Sequence, residues 1–414
     1  MATLTIADRR AYQANIWKSY LFQFLHSFQL WWPIWVIYLT DQRGFSLTQV
    51  SGLEALFWLV IVLSEVPTGA VADRFGRKVS LMLGAGCTTI AVLVFGLASS
   101  YWVVLVSYVA WGFGLTFQSG ADAALVFESL KAVDRDQDYQ RVAGVGWGIF
   151  SFGTLGGMIL GAPLAAATDL SFPILISAAI GFLALLVAAT FREPPDDDGG
   201  ERLTYRRLIT ASGRTAWRLP QVRTMIVLSA LVIASSNAAM VFSQPFLGRH
   251  DVDVGIFGLA QAPVRIAGIA GAISAYRVSA ALGLRPTIAG IGLLMGGSYL
   301  LLGAWDSVLA FGAMATITLG FSLMMPVAAD YLNRRIPNSQ RATILSFRQL
   351  VSSFAIALFL PSLGLIADEA GVRAVFWASA AFVAATVPLA FAFWLRADLD
   401  EENTPAPAEA LPAG

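Results

Sequence analysis

Nearly the whole chain consists of apolar runs that are each about as long as a membrane is thick. A helix needs about 20 mostly apolar residues to cross a bilayer. Runs of this kind cover residues 17–39, 47–71, 79–98, 101–130, 140–166, 171–191, 222–246, 254–279, 286–304, 307–332, 341–366 and 372–396. The sequence therefore predicts an all-α membrane protein with twelve transmembrane helices.

The composition supports this fold class and excludes several functions. Of the 414 residues, 57% are hydrophobic and only 13% are charged, whereas a soluble domain averages about 25% charged residues. The formal net charge is zero, which gives no indication of nucleic-acid binding. Cys87 is the only cysteine, so the sequence predicts neither an internal disulfide nor a cysteine metal cluster.

The distribution of Lys and Arg predicts the orientation of the helices. When the amino terminus is placed inside, 22 of the 27 basic residues fall on the inner side, and only Arg43, Arg249 and Arg373 fall on the outer side. Cytoplasmic loops carry an excess of Lys and Arg. We therefore expect both termini in the cytoplasm, and the Ala, Gly and Arg usage points to a bacterial inner membrane.

The longest polar segment divides the chain into two bundles of six helices. Residues 1–191 form the amino-terminal bundle and residues 222–396 form the carboxy-terminal bundle. The linker, residues 192–221, contains a basic amphipathic segment that is predicted to lie as a helix on the inner membrane surface. The tail, residues 397–414, is acidic and rich in Pro and Ala, which predicts disorder.

The two halves resemble each other in sequence. Gln140-Arg141 opens the fifth run and Gln340-Arg341 opens the eleventh, 200 residues later. Each pair is followed at nearly matching offsets by a proline and an aspartate, namely Pro163 and Asp169 in the first half and Pro361 and Asp368 in the second. This repetition predicts an internal duplication, which is common among transporters.

The turn between the second and third runs carries a distinctive motif, GAVADRFGRKVSL. It resembles the loop signature of the major facilitator superfamily, and the matching residues are Gly69, Asp73, Arg74, Gly76, Arg77 and Lys78. The corresponding loop of the second half keeps Gly271, Gly283 and Arg285 but has no Asp. The twelve runs, the central linker and the half-repeat also match this family, so the resemblance covers nearly the whole chain. It implies a transporter built from two pseudo-symmetric six-helix bundles.

Asp73 is the unusual member of this motif. An acidic residue at the carboxyl end of a helix is unfavourable for the dipole of that helix, so it needs a partner elsewhere. In the fold that the resemblance implies, the second span lies beside the eleventh, whose amino end near Arg341 faces the same surface. We predict that Asp73 contacts that helix start and that Arg77 and Glu128 belong to the same cytoplasmic gate. A positive-inside turn without this contact is the alternative.

Glu65 and Arg348 form a second predicted gate pair. Glu65 lies eight residues from Asp73, about 12 Å deeper, and Arg348 lies seven residues from Arg341, about 10 Å deep. Buried charges at matching depth favour pairing, because each alone costs on the order of 3 kcal/mol. The alternative is that each bonds within its own half. Glu54, at the other end of the second span, is a candidate for an outer gate.

Polar side chains within the spans predict a substrate path. In the family the first, fourth, seventh and tenth spans line the central cavity, and helical spacing places polar residues on shared faces. The predicted substrate-binding residues are Gln23, His26, Gln29, Trp111, Gln118, Asp122, Asn237, Gln244, Gln261 and Arg265. An ordinary hydrogen bond between helices is the alternative for each amide.

Asp122 and His26 are the predicted proton-coupling residues. Ionisable groups inside membrane helices are commonly functional, and an unperturbed histidine titrates near neutral pH. A fixed ion pair with Arg265 or with a motif cation is the alternative for Asp122. Arg265 itself would either hold an anionic group of a substrate or neutralise Asp122.

The fifth span contains Gly153, Gly157 and Gly161, a four-residue repeat that lets another helix approach closely. It resembles the glycine-rich motif of drug–proton antiporters in the same superfamily. It lacks the Gly-Pro pair of that motif, and the fourth span lacks the basic residue that those antiporters carry. A closely packed helix pair is the alternative.

The leading prediction is a secondary transporter that moves a small amphipathic molecule by alternating access, with proton-coupled export as the first choice of direction. It would act as a monomer in the lipid bilayer, bind protons and its substrate but no nucleic acid, and use the proton gradient without any cofactor. Uptake or exchange of an organic anion is the alternative, and a non-transporting sensor is a third. The sequence contains no P-loop, no metal-spaced His/Cys cluster and no serine-hydrolase motif, so neither an ATP-driven pump nor an enzyme is predicted.

Overall fold

The computed structural model describes residues 5–194, 219–336 and 341–403, and this part of the chain is almost entirely helical. The long helices, numbered in chain order, are helix 1 (Ile6–Ser27), helix 2 (Leu47–Phe75), helix 3 (Arg77–Leu97), helix 4 (Tyr101–Gln118, resuming as Ala121–Lys131), helix 5 (Tyr139–Ala167), helix 6 (Phe172–Ala189), helix 7 (Pro220–Arg249), helix 8 (Phe257–Leu282), helix 9 (Leu284–Ala304), helix 10 (Gly312–Arg335), helix 11 (Arg341–Ala370) and helix 12 (Val372–Asn403). The predicted all-α membrane fold is confirmed.

Among the described residues, eleven helices, helices 2 to 12, are long and apolar enough to cross a membrane. Helix 1 is not one of them, since it carries Asp8, Arg9, Arg10 and Lys18 and several further polar side chains along its length. The first of the twelve predicted spans therefore stays a prediction. Helix 12 runs to Asn403, past the predicted start of the tail at residue 397. Residues 404–414 and the predicted amphipathic segment of the linker lie outside the described residues.

The first apolar run, expected as one span over residues 17–39, is a broken helix. Helix 1 ends at Ser27, and the chain becomes helical again only at Trp35–Ile37, which continues as a π-helical turn over Tyr38–Gln42. Pro33 lies within the break and has no N–H to give to a helix. The spacing of apolar residues did not reveal this interruption, because the run remains apolar across it.

Side chains of the second half satisfy the backbone groups that the break leaves open. Gln244 of helix 7 accepts from the Val36 N–H at 2.7 Å and donates to the Trp32 carbonyl at 2.9 Å. Gln261 of helix 8 donates to the Pro33 carbonyl at 3.1 Å. Irregular backbone at membrane depth is tolerated only where protein groups satisfy it in this way. The break is therefore held by hydrogen bonds from the opposite half.

Helix 5 presents its row of glycines to the same break. A Cβ atom at Gly157 would lie 2.8 Å from the Gln29 carbonyl oxygen, and a Cβ atom at Gly161 would overlap the Leu30 carbonyl. Gly153 packs equally closely against the end of helix 1. The repeat thus forms the closely packed helix pair that was the alternative to an antiporter motif, and its partner is the broken first run.

The two motif loops have the same backbone geometry. Gly76 ends helix 2 with φ at 93°, and Gly283 ends helix 8 with φ at 84°. Each is followed at once by the next helix. Positive φ is readily adopted by glycine and costs other residues free energy. This equivalence agrees with the predicted internal duplication.

An acidic residue from the end of each half binds the corresponding turn. Glu193, just after helix 6, accepts from the backbone N–H groups of Arg77 and Lys78 at 2.5 and 2.7 Å. Asp398, near the end of helix 12, forms an ion pair with Arg285 at 3.0 Å. The sequence analysis assigned Glu193 to the linker and Asp398 to the tail, so it missed both contacts.

The halves meet along helices 2 and 11 and along helices 5 and 8. Gly364 of helix 11 lies so close to helix 2 that a Cβ atom there would be 2.7 Å from the Thr48 Cα atom. Gly258 of helix 8 lies against the Met158 carbonyl of helix 5. Both approaches occur at the end of the molecule opposite the turn at residues 69–78. We call these ends the far side and the motif side.

Candidate substrate path

Within the described residues, every hydrogen bond that joins the two halves lies on the far side. The Asp368 carboxylate of helix 11 accepts from the N–H groups of Leu47 and Thr48 at 2.9 Å each, at the start of helix 2. A carboxylate is favourable at the positive end of a helix dipole. Together with the bonds of Gln244 and Gln261 to the broken first run, these contacts form what we call the far-side seam. The far side is therefore closed.

A cavity of about 270 Å³ lies between the halves, directly below the far-side seam. Helices 2, 5, 7, 8 and 10 and the break in the first run contribute its walls. Aromatic rings and methionine thioethers form much of its lining, together with two amides and one guanidinium, as shown by Trp32, Trp35, Trp58, Met158, Asn237, Met240, Gln261, Arg265, Met314 and Phe321. Ligand sites commonly combine such apolar walls with a few polar groups. We call this space the central cavity.

Arg265 gives the central cavity its charge. The Arg265 Cζ atom lies 5.3 Å from the centre of the Trp32 ring, a cation–π contact. No acidic side chain lines the cavity in the described part of the chain, and Arg265 forms no ion pair there. The fixed Arg265–Asp122 pair that was one alternative is absent from this conformation. The guanidinium is thus placed to meet an electron-rich group of a ligand.

A second cavity, of about 320 Å³, lies within the first half and brings together Gln23, His26, Gln118 and Asp122. Helices 1, 4 and 5 form it, and Tyr139, Trp147 and Phe150 complete its lining. Helix 4 is interrupted beside it at Gly120, whose φ is 76°. Asp122 therefore stands in the first turn of the resumed helix, where a carboxylate is favourable.

The titratable groups of this second cavity have few partners. Asp122 accepts a hydrogen bond from the Ala123 N–H at 2.7 Å, and His26 stacks on Phe22 with ring centres 6.0 Å apart. Neither residue takes part in an ion pair with a described residue. The geometry leaves both groups able to exchange protons with the cavity, and their coupling role stays a prediction.

Three of the predicted substrate contacts lie outside both cavities in this conformation. Gln29 donates to the His26 carbonyl at 2.9 Å and accepts from the Trp31 indole at 2.8 Å. Trp111 stacks on Phe57 with ring centres 4.3 Å apart, inside the first half. Gln244 forms its hydrogen bonds with the backbone of the broken first run. The amides serve an irregular backbone that could not be anticipated from helical periodicity.

The aromatic wall of the central cavity was not predicted from the sequence. Trp32, Trp35 and Trp58 line it, yet none was named as a substrate contact. The stretch WWPIW is the signal that could have found two of them, since it places three tryptophans around a proline within an apolar run. Predicted residues that do line this cavity are Asn237, Gln261 and Arg265.

On the motif side, three of the predicted gate residues, all from the first half, contact one another. Arg77 forms an ion pair with Asp73 at 2.7 Å and contacts Glu128 at 3.5 Å. The side chain of Arg341 lies outside the described residues, so the contact of Asp73 with the start of helix 11 stays a prediction.

Glu65 and Arg348 are not paired with each other in this conformation. Glu65 is exposed, and no ion pair links it to a described residue. The Nε and Nη1 atoms of Arg348 are buried without a hydrogen-bond partner. A buried guanidinium with unsatisfied donors is costly, and the pairing of Glu65 with Arg348 stays a prediction.

Two helical halves, a cavity between them and closure on the far side are the architecture of a multi-pass membrane transporter. The chain belongs to the Major Facilitator Superfamily, whose family model matches residues 20–360 and 275–414.

One relative by sequence is an uncharacterized MFS-type transporter, YxaM, of Bacillus subtilis (strain 168), which is 21% identical over 363 residues, covering 85% of this chain and 88% of that protein. Similar solved structures include the nucleoside transporter NupG, with a TM-score of 0.79 at 13% identity over 93% of this chain and 98% of that chain. A bacterial homolog of the human lysosomal transporter Spinster, inward-facing and unoccupied, has a TM-score of 0.72 at 16% identity over 98% and 100%. At these identities the structures share the fold alone.

Proposed function

We propose that the protein is a secondary transporter that moves a small amphipathic molecule across the membrane by alternating access, driven by the proton gradient. The central cavity carries this proposal, since both halves line it and the far-side seam closes it at one end. With the motif side in the cytoplasm, as the Lys and Arg distribution predicts, the closed end is the outer one. The likeness to an inward-facing structure supports this assignment.

The lining of the central cavity favours a substrate with an aromatic or other flat apolar part and an electron-rich group. Trp32, Trp35 and Trp58 offer ring faces for stacking. Arg265 offers hydrogen-bond donors that no described acid occupies. This arrangement favours an organic anion among the amphipathic candidates, moved in either direction.

Proton coupling is assigned to the second cavity. Asp122 and His26 line it together, and both can change charge without breaking an ion pair to a described residue. If protons that enter through this cavity drive the substrate outward, the protein is an exporter. If protons and substrate enter together, the protein takes up its substrate. The direction of the gradient that drives flux distinguishes these two cases.

The test uses purified full-length protein in proteoliposomes with an imposed pH gradient. Nucleosides, short peptides, aromatic carboxylates and amphipathic cations would be screened for flux in both directions. Arg265→Gln is expected to abolish flux of an anionic substrate, whereas Arg265→Lys should retain part of it, because Lys keeps the charge but loses the planar contact with Trp32. Arg277→Gln is the matched control, an exposed position on the same helix. Equal flux in all variants would exclude Arg265 as a substrate contact.

A further inference from the structure

Glu54 of helix 2 is a buried acidic residue that lines neither of the two cavities. Only 4% of its surface is exposed. Its carboxyl group has neither a hydrogen-bond donor nor a cation as partner among the described residues. Asp122 and Glu65 of the same half also form no ion pair with a described residue, but Asp122 lines the second cavity and Glu65 is exposed, whereas Glu54 is buried outside both cavities.

The position of Glu54 connects the far-side seam with the central cavity. Ser51, one turn towards the far side, lies against Gly364 of helix 11. Trp58, one turn the other way, lines the central cavity. Residues three and four apart share a helix face, so Glu54 lies between these two contacts. The Ser51 hydroxyl and the Trp58 indole nitrogen are buried and have no hydrogen-bond partner among the described residues.

The elements packed against helix 2 offer Glu54 no compensating cation. Helix 11 has no ionisable residue between Arg348 and Asp368, and helix 3 has only Cys87 between Lys78 and its end. Helix 7 has none between Arg223 and Arg249. The groups that remain are Tyr101 and Tyr108 of helix 4 and the far end of the first run, with Tyr38, Asp41 and Arg43. The Tyr101 hydroxyl lies beside Gly52, and Tyr108 lies close enough to interact with the charge of Glu54. Arg43 is already bound to the Tyr38 hydroxyl and the Gly96 carbonyl.

Burying an ionised carboxylate without a partner costs several kcal/mol, on the order of the penalty for a lone charge in a protein interior. A protonated carboxyl group avoids most of this cost. Opening of the far-side seam would admit water to Glu54 and remove the penalty. The charge state of Glu54 and the closure of the seam are therefore linked.

We propose that Glu54 is a proton-binding site of this protein, which takes up a proton when the far-side seam closes and releases it when the seam opens. This inference rests on the proposed alternating access and adds to it a proton site outside the cavity of Asp122 and His26. The proton binds a carboxylate oxygen and leaves from the same atom, so no other reactant is needed.

The test needs no substrate. Spin labels placed at the exposed positions Ser100 and Ala370, in a full-length Cys87→Ser background in nanodiscs, would report the far-side distance by pulsed electron paramagnetic resonance. In the labelled protein with Glu54 intact, the ratio of far-side closed to open molecules should fall about tenfold for each unit by which the pH rises. This holds over the pH range in which the closed form binds the proton and the open form does not. Glu54→Gln, which is always neutral, should stay closed at every pH, and Glu54→Asp should keep the pH response.

Three outcomes would overturn the assignment. These are a parent distance that does not change with pH, a Glu54→Gln variant with the same pH response as the parent, and a response that Asp122→Asn removes while Glu54→Gln keeps it. The result is independent of the flux assay. Absence of flux for every compound tested, with the pH response intact, would count against the proposed substrate class and not against Glu54.

Discussion

The Asp368 carboxylate at the end of helix 11 accepts hydrogen bonds from the N–H and the hydroxyl of Thr48 at the start of helix 2, at 2.9 and 2.5 Å. In the contact predicted on the motif side the two helices exchange roles. There the acid is Asp73, near the end of helix 2, and its predicted partner is the start of helix 11. Each of these two helices thus carries an acidic residue near its carboxyl end. Asp368 binds the amino end of helix 2, and Asp73 is predicted to bind the amino end of helix 11.

The Asp368→Asn substitution tests the far-side contact. Loss of the negative charge at the start of helix 2 should cost roughly 1 kcal/mol, which lowers the ratio of far-side closed to open molecules about fivefold. Spin-label distances between Ser100 and Ala370 would measure the change.

Asp169→Asn is the matched control for that substitution, since Asp169 occupies the corresponding place in the first half. Its carboxylate binds the start of helix 6 in its own half at 2.7 Å. The hydrogen bonds from Ser171 hold the pKa of Asp169 below its usual range, so it is ionised at neutral pH. An equal shift of the distance distribution in both variants would show that Asp368 has no special role in closure.

Gln244→Leu tests the support of the broken first run. It leaves the Val36 N–H and the Trp32 carbonyl unsatisfied in the interior, and we expect a loss of about 2 kcal/mol in the free energy of unfolding. Thermal unfolding in detergent would show this as a lower Tm. Asn237→Leu, on the same helix, is the control, because Asn237 bonds only to the Ile233 carbonyl of its own helix. A Tm that falls no further for Gln244→Leu than for Asn237→Leu would contradict the assigned role.

Gly161→Ala tests the close packing of helix 5 on the break. The added methyl group would overlap the Leu30 carbonyl, so the variant should express poorly or unfold at a clearly lower temperature. Gly148→Ala on the same helix has no atom within 4 Å of the new Cβ and should be neutral or stabilising by up to about 1 kcal/mol. Similar Tm values for the two variants would refute the proposed packing constraint.

The Glu65–Arg348 pair is tested by a charge exchange. Glu65→Gln and Arg348→Gln should each reduce closure of the motif side, and the double exchange Glu65→Arg with Arg348→Glu should restore it in part. Disulfide trapping of Glu65→Cys with Arg348→Cys in a Cys87→Ser background would report closure directly. Independent, additive effects of the two single substitutions on closure would argue against pairing.

The general fold could be predicted from the sequence because each feature that defines it is local in the sequence. Run length predicts the helices, Gly76 and Gly283 mark equivalent turns, and the residues from Gly69 to Lys78 identify the family. Helical phase and the family fold predicted Gln23, His26, Gln118 and Asp122 on the central path, whereas the structure groups these four around a cavity of the first half.

What the sequence did not reveal depends on contacts between distant segments. Helical periodicity assumes an unbroken helix, so it could not show that Gln244 and Gln261 bind the backbone around Pro33. Nor could it show that Glu193 and Asp398 reach back to turns more than 100 residues away. Both failures concern polar groups whose partners are set by tertiary packing.

The contacts of Glu193 and Asp398 mean that the motif-side turn of each bundle is held by an acidic residue of the same bundle. Two polypeptides divided between residues 195 and 218 would each keep this internal brace. Co-expressed fragments of that kind would let either bundle be isotopically labelled or mutated separately within one reassembled carrier.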